Sequence, residues 1–283
     1  MPPLNMRIAV RSITPFGRTM AALLFVAAAL VPAMATAQAA PATTETTPAG
    51  TESGKWEVAV GIYGYLPAID GTVKFPNDMG STDIHVPFSQ LWDHLKMIAV
   101  GYVDVHKGRW GGFTDVLYMD VGGAKSLTQD FPIGGITIPG TTKLSLDIKA
   151  TVWTLAGEYR VVSDPKWHVD VLAGARLLSP NVTLGYAVGQ LAGSKEASSM
   201  DWDGIVGIKG RYGEKLRWFV PFYLDVGTGE TKLTWQATGG IGYSWRHTEV
   251  VVMWRYLDWK GKSGQPFADL NMSGPEVGFA YHF

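Results

Sequence analysis

The chain has 283 residues, 24 of them basic and 25 acidic, which gives a formal net charge of −1. This balance produces no long-range field that would attract nucleic acid, so no nucleic-acid partner is predicted. Cysteine is absent, which excludes thiol catalysis and thiolate metal sites, whereas the 34 glycines and 11 tryptophans are unusually numerous.

The N-terminus has the parts of a secretory signal peptide. Three arginines precede the apolar run 20–34, and a small-residue A-x-A sequence that ends at Ala37 follows it. The run is short for a helix that must cross about 30 Å of hydrocarbon, so residues 1–37 are predicted to be removed. Residues 38–54 are rich in Ala, Thr, Pro and Gly and predict a disordered linker.

The remaining residues, 55–283, are long enough for one domain, and no composition break divides them. After the signal peptide, no run of about 18 apolar residues could form a transmembrane helix. Extended segments alternate with turn-forming residues along the whole region. Ten such segments are predicted: 55–66, 96–106, 109–121, 143–161, 166–178, 200–212, 215–227, 231–246, 249–260 and 270–283.

The connections between these segments alternate in length. Tight turns such as Lys107-Gly108 lie at one end, and longer stretches such as 67–95 and 179–199 lie at the other. Outer-membrane barrels have this asymmetry, with short periplasmic turns and longer outer loops. Because strands cross a membrane only as a closed barrel, the predicted fold class is all-β: a closed antiparallel transmembrane up-and-down β-barrel of about ten strands, located in the outer membrane.

Segment 67–95 is the most structured of the long connections. Residues 71–75 and 83–86 alternate like a small hairpin, and 88–95 could form one short helix with Ser89 as its cap. If the hairpin crosses the membrane, the barrel has twelve strands. Ten strands are preferred because these pieces are short.

Aromatic residues recur at one end of the hairpins, where four upward strands open with a basic residue followed by Trp. Each Trp shares the parity of the apolar face of its strand, as an interfacial belt on the lipid side requires. A soluble β-sandwich or barrel, the alternative, would not confine Trp to one end of every hairpin. The predicted membrane girdle comprises Trp56, Trp110, Trp167, Trp218, Trp245, Tyr281 and Phe283.

The opposite parity of each strand is predicted to face the lumen. A basic side chain that faced lipid at mid-depth would cost about 2–4 kcal/mol, so the charged residues are assigned to the interior. Both signs occur in quantity, and a paired network is expected because unpaired buried charges are costly. The predicted lumen-lining charges are Asp104, Asp115, Glu158, Arg176, Lys209, Arg211, Arg217, Asp225, Arg255 and Glu276.

Two strands depart from simple alternation. In the fourth segment, Asp147 and Lys149 have one parity and Glu158 has the other, which predicts a bulge near 150–153. Pro221 lies in mid-strand without an N–H group to donate, and a bulge is predicted there too.

The last strand ends in an aromatic residue, Phe283, with Val277, Phe279 and Tyr281 on the same face. A terminal aromatic in such a strand resembles the C-terminal signature of bacterial outer-membrane β-barrel proteins. That resemblance implies recognition by the barrel-assembly machinery and, as partners, outer-membrane lipid and lipopolysaccharide.

Longer strings extend the resemblance over nearly all of the mature chain. PFYLDVGTG (221–229), LTWQ (233–236) and YLDW (256–259) resemble a widespread proteobacterial group of predicted outer-membrane barrels, as do GRWG (108–111) and GEYR (157–160). That group has no assigned activity, so the resemblance implies fold and location and adds no chemistry.

An outer-membrane enzyme is the alternative function. Asp83 and His85 lie on one face of an outer connection and faintly resemble the acidic and His sites of omptin-like proteases. No certain second Asp-His pair is visible, and no Ser stands in the nucleophile-elbow context that a lipid-modifying hydrolase would use. Two polar residues in an exposed loop are usually only solvated, so no catalytic residue is assigned.

Four histidines, His106, His168, His247 and His282, cluster toward the short-turn end without a fixed ligand spacing, so no metal site and no cofactor are predicted. A barrel of ten strands is near the size at which side chains fill the lumen. The predicted function is therefore a non-enzymatic outer-membrane barrel with a structural, small-solute-binding or narrow-pore role, in which small solutes are a further candidate partner.

Overall fold

A computed structural model of the chain describes residues 54–74, 81–87, 89, 95–126, 131–133, 136–138, 143–188, 191–213 and 217–283. Within these ranges, no helix is long and apolar enough to cross a membrane. The strands are β1 (Trp56–Tyr65), β2 (Ala68–Lys74), β3 (Ser81–Val86), β4 (Leu95–Lys107), β5 (Trp110–Ser126), β6 (Phe131–Ile133), β7 (Ile136–Ile138), β8 (Lys143–Ser163), β9 (Trp167–Val188), β10 (Leu191–Ser198), β11 (Asp201–Tyr212), β12 (Trp218–Gly229), β13 (Leu233–Trp245), β14 (Thr248–Lys260) and β15 (Phe267–His282).

The sheet closes on itself because β1 pairs with β4 on one side and with β15 on the other. Around the barrel the order is β1, β4, β5, β8, β9, β11, β12, β13, β14 and β15, and all neighbours are antiparallel. The predicted fold class, a closed up-and-down barrel of ten strands, is therefore confirmed. The short strands β6 and β7 form a separate hairpin between β5 and β8.

The extra strands extend the barrel wall and do not add crossings to it. β2 continues β1 along β15 in an unchanged register, with Tyr65 opposite Glu276 and Ala68 opposite Ser273. β10 continues β11 along β9 in the same way. The twelve-strand alternative is therefore wrong, because the hairpin of β2 and β3 lies beyond the end of β1.

The expected loop 179–199 is also largely strand, because β9 runs on to Val188 and β10 returns beside it. The helix predicted over 88–95 lies outside the described residues, apart from Ser89.

The prolines of the wall interrupt hydrogen bonding without shifting the register. Arg211 lies opposite Pro221, and the pairs on either side of Pro221 along β13 keep one register, so the bulge predicted there is wrong. The missing N–H of Pro removes one ladder bond and leaves the neighbouring pairs in place. A similar interruption lies between β1 and β2, and it is bridged by the Leu66 N–H, which donates to the Pro275 carbonyl at 3.1 Å.

The bulge predicted near 150–153 is wrong as well. The register of β5 with β8 is unbroken, and the irregularity of β8 lies between Arg160 and Val162. Asp147, Lys149 and Leu155 all lie on the outward face of β8. That face is therefore charged in one part of the strand and apolar in another, and the parity does not change.

The two halves of the barrel have opposite polarity. At the short-turn half, outward residues such as Val206 and Ile241 are apolar and exposed, whereas charged residues face inward. At the other half, Ile148 and Val152 face inward and are buried, whereas Lys149 faces outward and lies 3.5 Å from Asp120. The short-turn half therefore has the surface of a membrane barrel, and the far half has the surface of a water-soluble one.

Aromatic pairs mark both limits of the apolar outer surface. At the short-turn end the contacts include Trp110 with Tyr159 at 4.9 Å between ring centroids. At the far limit, Trp235 stacks on Tyr256 at 4.6 Å. Trp235 and Trp245 are ten residues apart on β13, which is about 33 Å along a strand and about 25 Å in height at the usual tilt. That height equals the apolar band of outer-membrane barrels.

Asp164 shapes the turn between β8 and β9. Its carboxylate accepts the N–H groups of Lys166 at 2.7 Å and Trp167 at 2.8 Å, and these hydrogen bonds lower the pKa of Asp164. Because the pKa is lower in the folded protein, the ionised carboxylate stabilises the fold. This stabilisation is complete at a pH above the pKa of Asp in the unfolded chain, about 3.9, and is lost as the pH falls through the pKa in the folded protein.

We expect Asp164→Ala to lower the unfolding temperature at neutral pH and to match the wild type in strong acid. Tryptophan fluorescence during heating in detergent micelles would measure the difference. A difference that stayed constant into strong acid would contradict a contribution from the ionised carboxylate.

Candidate functional site

The short-turn half of the lumen contains a cavity of about 730 Å³. Strands from all sides contribute to it, since its walls include Asp104 of β4, Asp170 of β9, Arg211 of β11 and Glu249 of β14. The cavity reaches the exposed end of the barrel, where the side chain of Glu57 is 67 % accessible.

A charged layer bounds the cavity at mid-height. This Arg255 layer consists of Tyr63, Asp115, Arg255 and Glu276. Arg255 Nη2 donates to Asp115 Oδ1 at 2.8 Å, and the Tyr63 hydroxyl donates to Asp115 Oδ2 at 2.5 Å. Arg255 Nη1 also contacts Tyr63, and Glu276 Oε2 lies 3.6 Å from Nη1. The layer crosses the lumen, because β14 and β5 lie four strands apart around the barrel.

A second ion pair lies beside this layer. Arg176 binds Asp225 through both terminal nitrogens, and both side chains are fully inaccessible. Arg176 also donates to Gln236 Oε1 at 3.0 Å and to Thr154 Oγ1 at 3.2 Å. The guanidinium is thus satisfied by partners on three other strands, as a buried charge requires.

Beyond the Arg255 layer the lumen is filled by apolar side chains. They are packed in one buried cluster, although they come from opposite walls of the barrel. Trp259 is 2 % exposed, and Met119 and Tyr65 are inaccessible. The members that define this apolar plug are Tyr65, Leu117, Met119, Val152, Leu178, Leu257, Trp259 and Met272.

The imidazole of one histidine on the cavity wall lies close to carboxylates from three strands. This His106 cluster consists of Asp104, His106, Glu158, Asp170 and Lys209. His106 Nε2 lies 3.0 Å from Glu158 Oε2, 3.3 Å from Asp104 Oδ1 and 3.8 Å from Asp170 Oδ2. Lys209 Nζ lies 2.5 Å from Asp104 Oδ2 and 2.7 Å from Glu158 Oε1.

Further ion pairs surround the mouth of the cavity. Arg160 bridges Asp170 at 3.4 Å and Glu57 at 3.1 Å. On the opposite side, Glu249 accepts Arg211 Nη1 at 2.7 Å and lies 3.2 Å from His282 Nε2. The cavity therefore presents both signs of charge at close spacing.

The structure distributes the ten charges predicted for the lumen over several groups. Asp104, Glu158 and Lys209 are in the His106 cluster; Asp115, Arg255 and Glu276 form the Arg255 layer with Tyr63; Arg176 pairs with Asp225; and Arg211 pairs with Glu249.

Arg217, the tenth predicted charge, lines the cavity at its mouth. It is exposed at the rim, and its Nη1 donates at 3.3 Å to the hydroxyl of Tyr243, whose ring packs against Trp218 on the outer wall.

His106 and Glu249 are absent from the predicted lumen set. The sequence does carry a signal for His106, since it follows Asp104 by two residues and therefore shares its face.

The seven aromatic residues predicted for the girdle are all exposed on the outer wall at the short-turn end. Phe283 is 75 % accessible, its N–H donates to the Val58 carbonyl at 2.9 Å, and its ring packs against Tyr281 at 4.8 Å. The chain end is therefore joined to β1 at the barrel seam.

The residues weighed for a protease-like pair lie on β3. Asp83 is opposite Thr72 and His85 is opposite Asp70 in the strand register, whereas their side chains lie outside the described residues. In the part of the chain whose side chains are described, the histidines are His106, His168, His247 and His282, and all belong to the short-turn half.

Comparison with solved structures found outer-membrane barrels. The outer membrane protease OmpT from Escherichia coli is 10 % identical, with a TM-score of 0.47, and the match covers 84 % of this chain and 99 % of that one. The attachment invasion locus protein Ail of Yersinia pestis is 10 % identical, with a TM-score of 0.33 and coverages of 80 % and 98 %. The CymD monoaromatic hydrocarbon channel is 10 % identical, with a TM-score of 0.28 and coverages of 81 % and 88 %.

No family model matches the chain, and no curated protein matches it. The class of protein follows from the barrel itself. A closed ten-stranded wall, an apolar outer band about 25 Å high and aromatic residues at both limits of that band define an integral outer-membrane β-barrel protein.

Proposed function

We propose that the protein is an occluded outer-membrane barrel that binds a small charged solute in the cavity at its short-turn end, with that end facing the periplasm. The observation that carries the proposal is the combination of a charged cavity with a filled lumen beyond it. The orientation is supported by the short turns at the cavity end, since periplasmic turns are short in such barrels.

The cavity has the size and chemistry of a small-molecule site. Its volume of about 730 Å³ lies within the range of about 300–1,000 Å³ that ligand sites span. Aromatic side chains such as Phe113 and Phe219 line it beside Lys209, Arg211 and Glu249. A solute with both a carboxylate and an amine would find partners of opposite charge at opposite walls.

The apolar plug argues against a constitutive pore. An aqueous channel needs a continuous polar path, and the plug places buried apolar side chains from opposite walls in mutual contact.

The proposal predicts that the wild-type protein is silent in planar lipid bilayers. Trp259→Ala combined with Tyr65→Ala should produce discrete conductance steps, because the two changes remove the largest side chains from the plug. Trp254→Ala is the matched control, since Trp254 lies on the same strand but is 57 % exposed on the outer wall. A shift in gel mobility between unboiled and boiled samples would show that each variant is folded. Discrete conductance by the folded wild type would reject occlusion.

Solute binding has its own readout, because a ligand that binds only the folded barrel raises the unfolding temperature by mass action. Amino acids should raise it, uncharged sugars should not, and Arg211→Gln should weaken the effect. A folded, silent barrel that responds to no charged solute would leave only a structural role.

A further inference from the structure

The His106 cluster contains a buried polar atom that its ion pairs do not satisfy. His106 is 4 % exposed, and its Nδ1 has no hydrogen-bond partner among the described residues. Oε1 of Glu158, a residue 2 % exposed, is paired with Lys209 Nζ at 2.7 Å. A buried nitrogen without a partner is costly, and a ligand that reached the imidazole through Nδ1 would remove that cost.

The charges of the cluster are not balanced. Asp104, Glu158 and Asp170 carry three negative charges, whereas Lys209 and Arg160 carry two positive ones. Arg160 is shared with Glu57, and His168 Nε2 lies 3.0 Å from Asp170 Oδ2. The remaining negative charge must be met by a proton on an imidazole or by a bound cation, because an uncompensated buried charge is expensive. The cavity provides a path by which a cation could enter.

We infer that Asp104, His106 and Glu158 form a binding site for one divalent transition-metal ion, for which Zn²⁺ is the appropriate probe. The ligand atoms of the three residues lie within 4.8 Å of one another. A tetrahedral site with bonds of about 2.0 Å separates its ligands by about 3.3 Å. The distances of 3.0 and 3.3 Å from His106 Nε2 to the two carboxylates match that spacing.

The donor set selects the class of metal. One imidazole with two carboxylates suits Zn²⁺ and similar ions, whereas Ca²⁺ and Mg²⁺ prefer oxygen ligands alone. A fourth position would face Asp170 or the cavity, where the carboxylate of a bound solute could reach it. The inference deepens the proposed function and rests on it, since the ion would contribute to the same solute-binding cavity.

Two neighbours decide whether the site can be occupied. The ring of His106 lies over Gly111, where a Cβ would be 2.4 Å from the imidazole, so only glycine leaves room for the ring. The Lys209 ammonium contacts the other oxygen of each carboxylate, Asp104 Oδ2 and Glu158 Oε1, and therefore competes electrostatically with a metal ion. Its side chain is 18 % accessible and borders the cavity, which gives it space to move.

Calorimetric titration of Zn²⁺ into the folded full-length protein in detergent micelles tests the site. We expect one ion per barrel, a loss of affinity of at least tenfold in His106→Gln and in Glu158→Gln, and tighter binding in Lys209→Met because the competing ammonium is gone. His282→Gln is the matched control, because His282 lines the same cavity but pairs with Glu249. Visible absorption of bound Co²⁺ gives a second readout that depends on the ligands.

Several results would overturn the inference. They are no binding by protein that keeps its heat-dependent gel mobility, unchanged binding in His106→Gln, weaker binding in Lys209→Met, or a loss confined to His282→Gln. Failure of this inference is distinguishable from failure of the proposed function. A conducting barrel that still binds Zn²⁺ at His106 would reject occlusion only, and a silent barrel that binds amino acids but no Zn²⁺ would reject the metal site only.

Discussion

Arg176→Met should destabilise the barrel by about 3–5 kcal/mol, because it leaves the Asp225 carboxylate buried without its partner. Both side chains are fully inaccessible, and Arg176 also supplies hydrogen bonds to Gln236 and Thr154. Urea unfolding of the protein in lipid vesicles, followed by tryptophan fluorescence and gel mobility, would measure the loss.

Two further variants distinguish the cost of an unpaired buried charge from the cost of lost side-chain packing. Arg176→Met combined with Asp225→Leu should recover much of the lost stability, because removal of both charges also removes the desolvation cost. Lys149→Met is the surface control, since the Lys149 side chain is 55 % accessible in its contact with Asp120, and a change of about 0–1 kcal/mol is expected. A double variant less stable than Arg176→Met alone would show that the destabilisation does not arise from an unpaired charge.

Val206→Arg should cost about 2–4 kcal/mol in a lipid bilayer. Val206 is 59 % exposed and lies midway between Trp202 and Tyr212 on β11, so its side chain would meet the middle of the hydrocarbon. A change at an exposed site of a water-soluble protein usually alters stability by less than about 0.5 kcal/mol, so a large effect is specific to the membrane. Reversible denaturant unfolding in phosphatidylcholine vesicles is the measurement.

Asn271→Arg is the control at the level beyond the second aromatic limit. Asn271 lies opposite Asp258 on β14, past the level of Trp254 and Tyr256, where an added positive charge meets water and carboxylates. The expected cost is about 0–1 kcal/mol. Equal costs at positions 206 and 271 would show that the apolar band is not where the lipid lies.

Period-two alternation was enough to predict the ten-stranded wall. On β13, for example, alternation separates the exposed Trp245 and Ile241 from the buried Gln236 and Thr234. Alternation alone did not predict the side chains beyond the membrane. At that level the apolar residues occupy the inward positions of each strand, although the strand itself is unbroken. Lys149 therefore resembled an interior charge displaced by a bulge, whereas it lies on the water-exposed outer face of an unbroken strand.

The contacts within the lumen were less accessible from the sequence. His106, Glu158 and Lys209 lie on β4, β8 and β11, and their proximity depends on the stagger between strands that are not neighbours. Parity assigns each side chain to the interior, but it does not give the level of that side chain along the barrel axis. The apolar plug does not follow from the pattern of charges, because its members, such as Leu117 and Met119, are apolar residues of inward parity.

The opposite polarity of the two halves means that part of the barrel wall extends beyond the membrane into water. β8 has 21 residues and β9 has 22, whereas about 9–11 suffice to cross a bilayer. At about 3.3 Å per residue and the usual tilt, the wall is about 50 Å high at β8 and β9, so about 25 Å of these two strands stands clear of the hydrocarbon. Because that part has its own buried apolar core, its strands pack together without support from lipid, and the far edge of the wall lies at a fixed distance from the membrane surface.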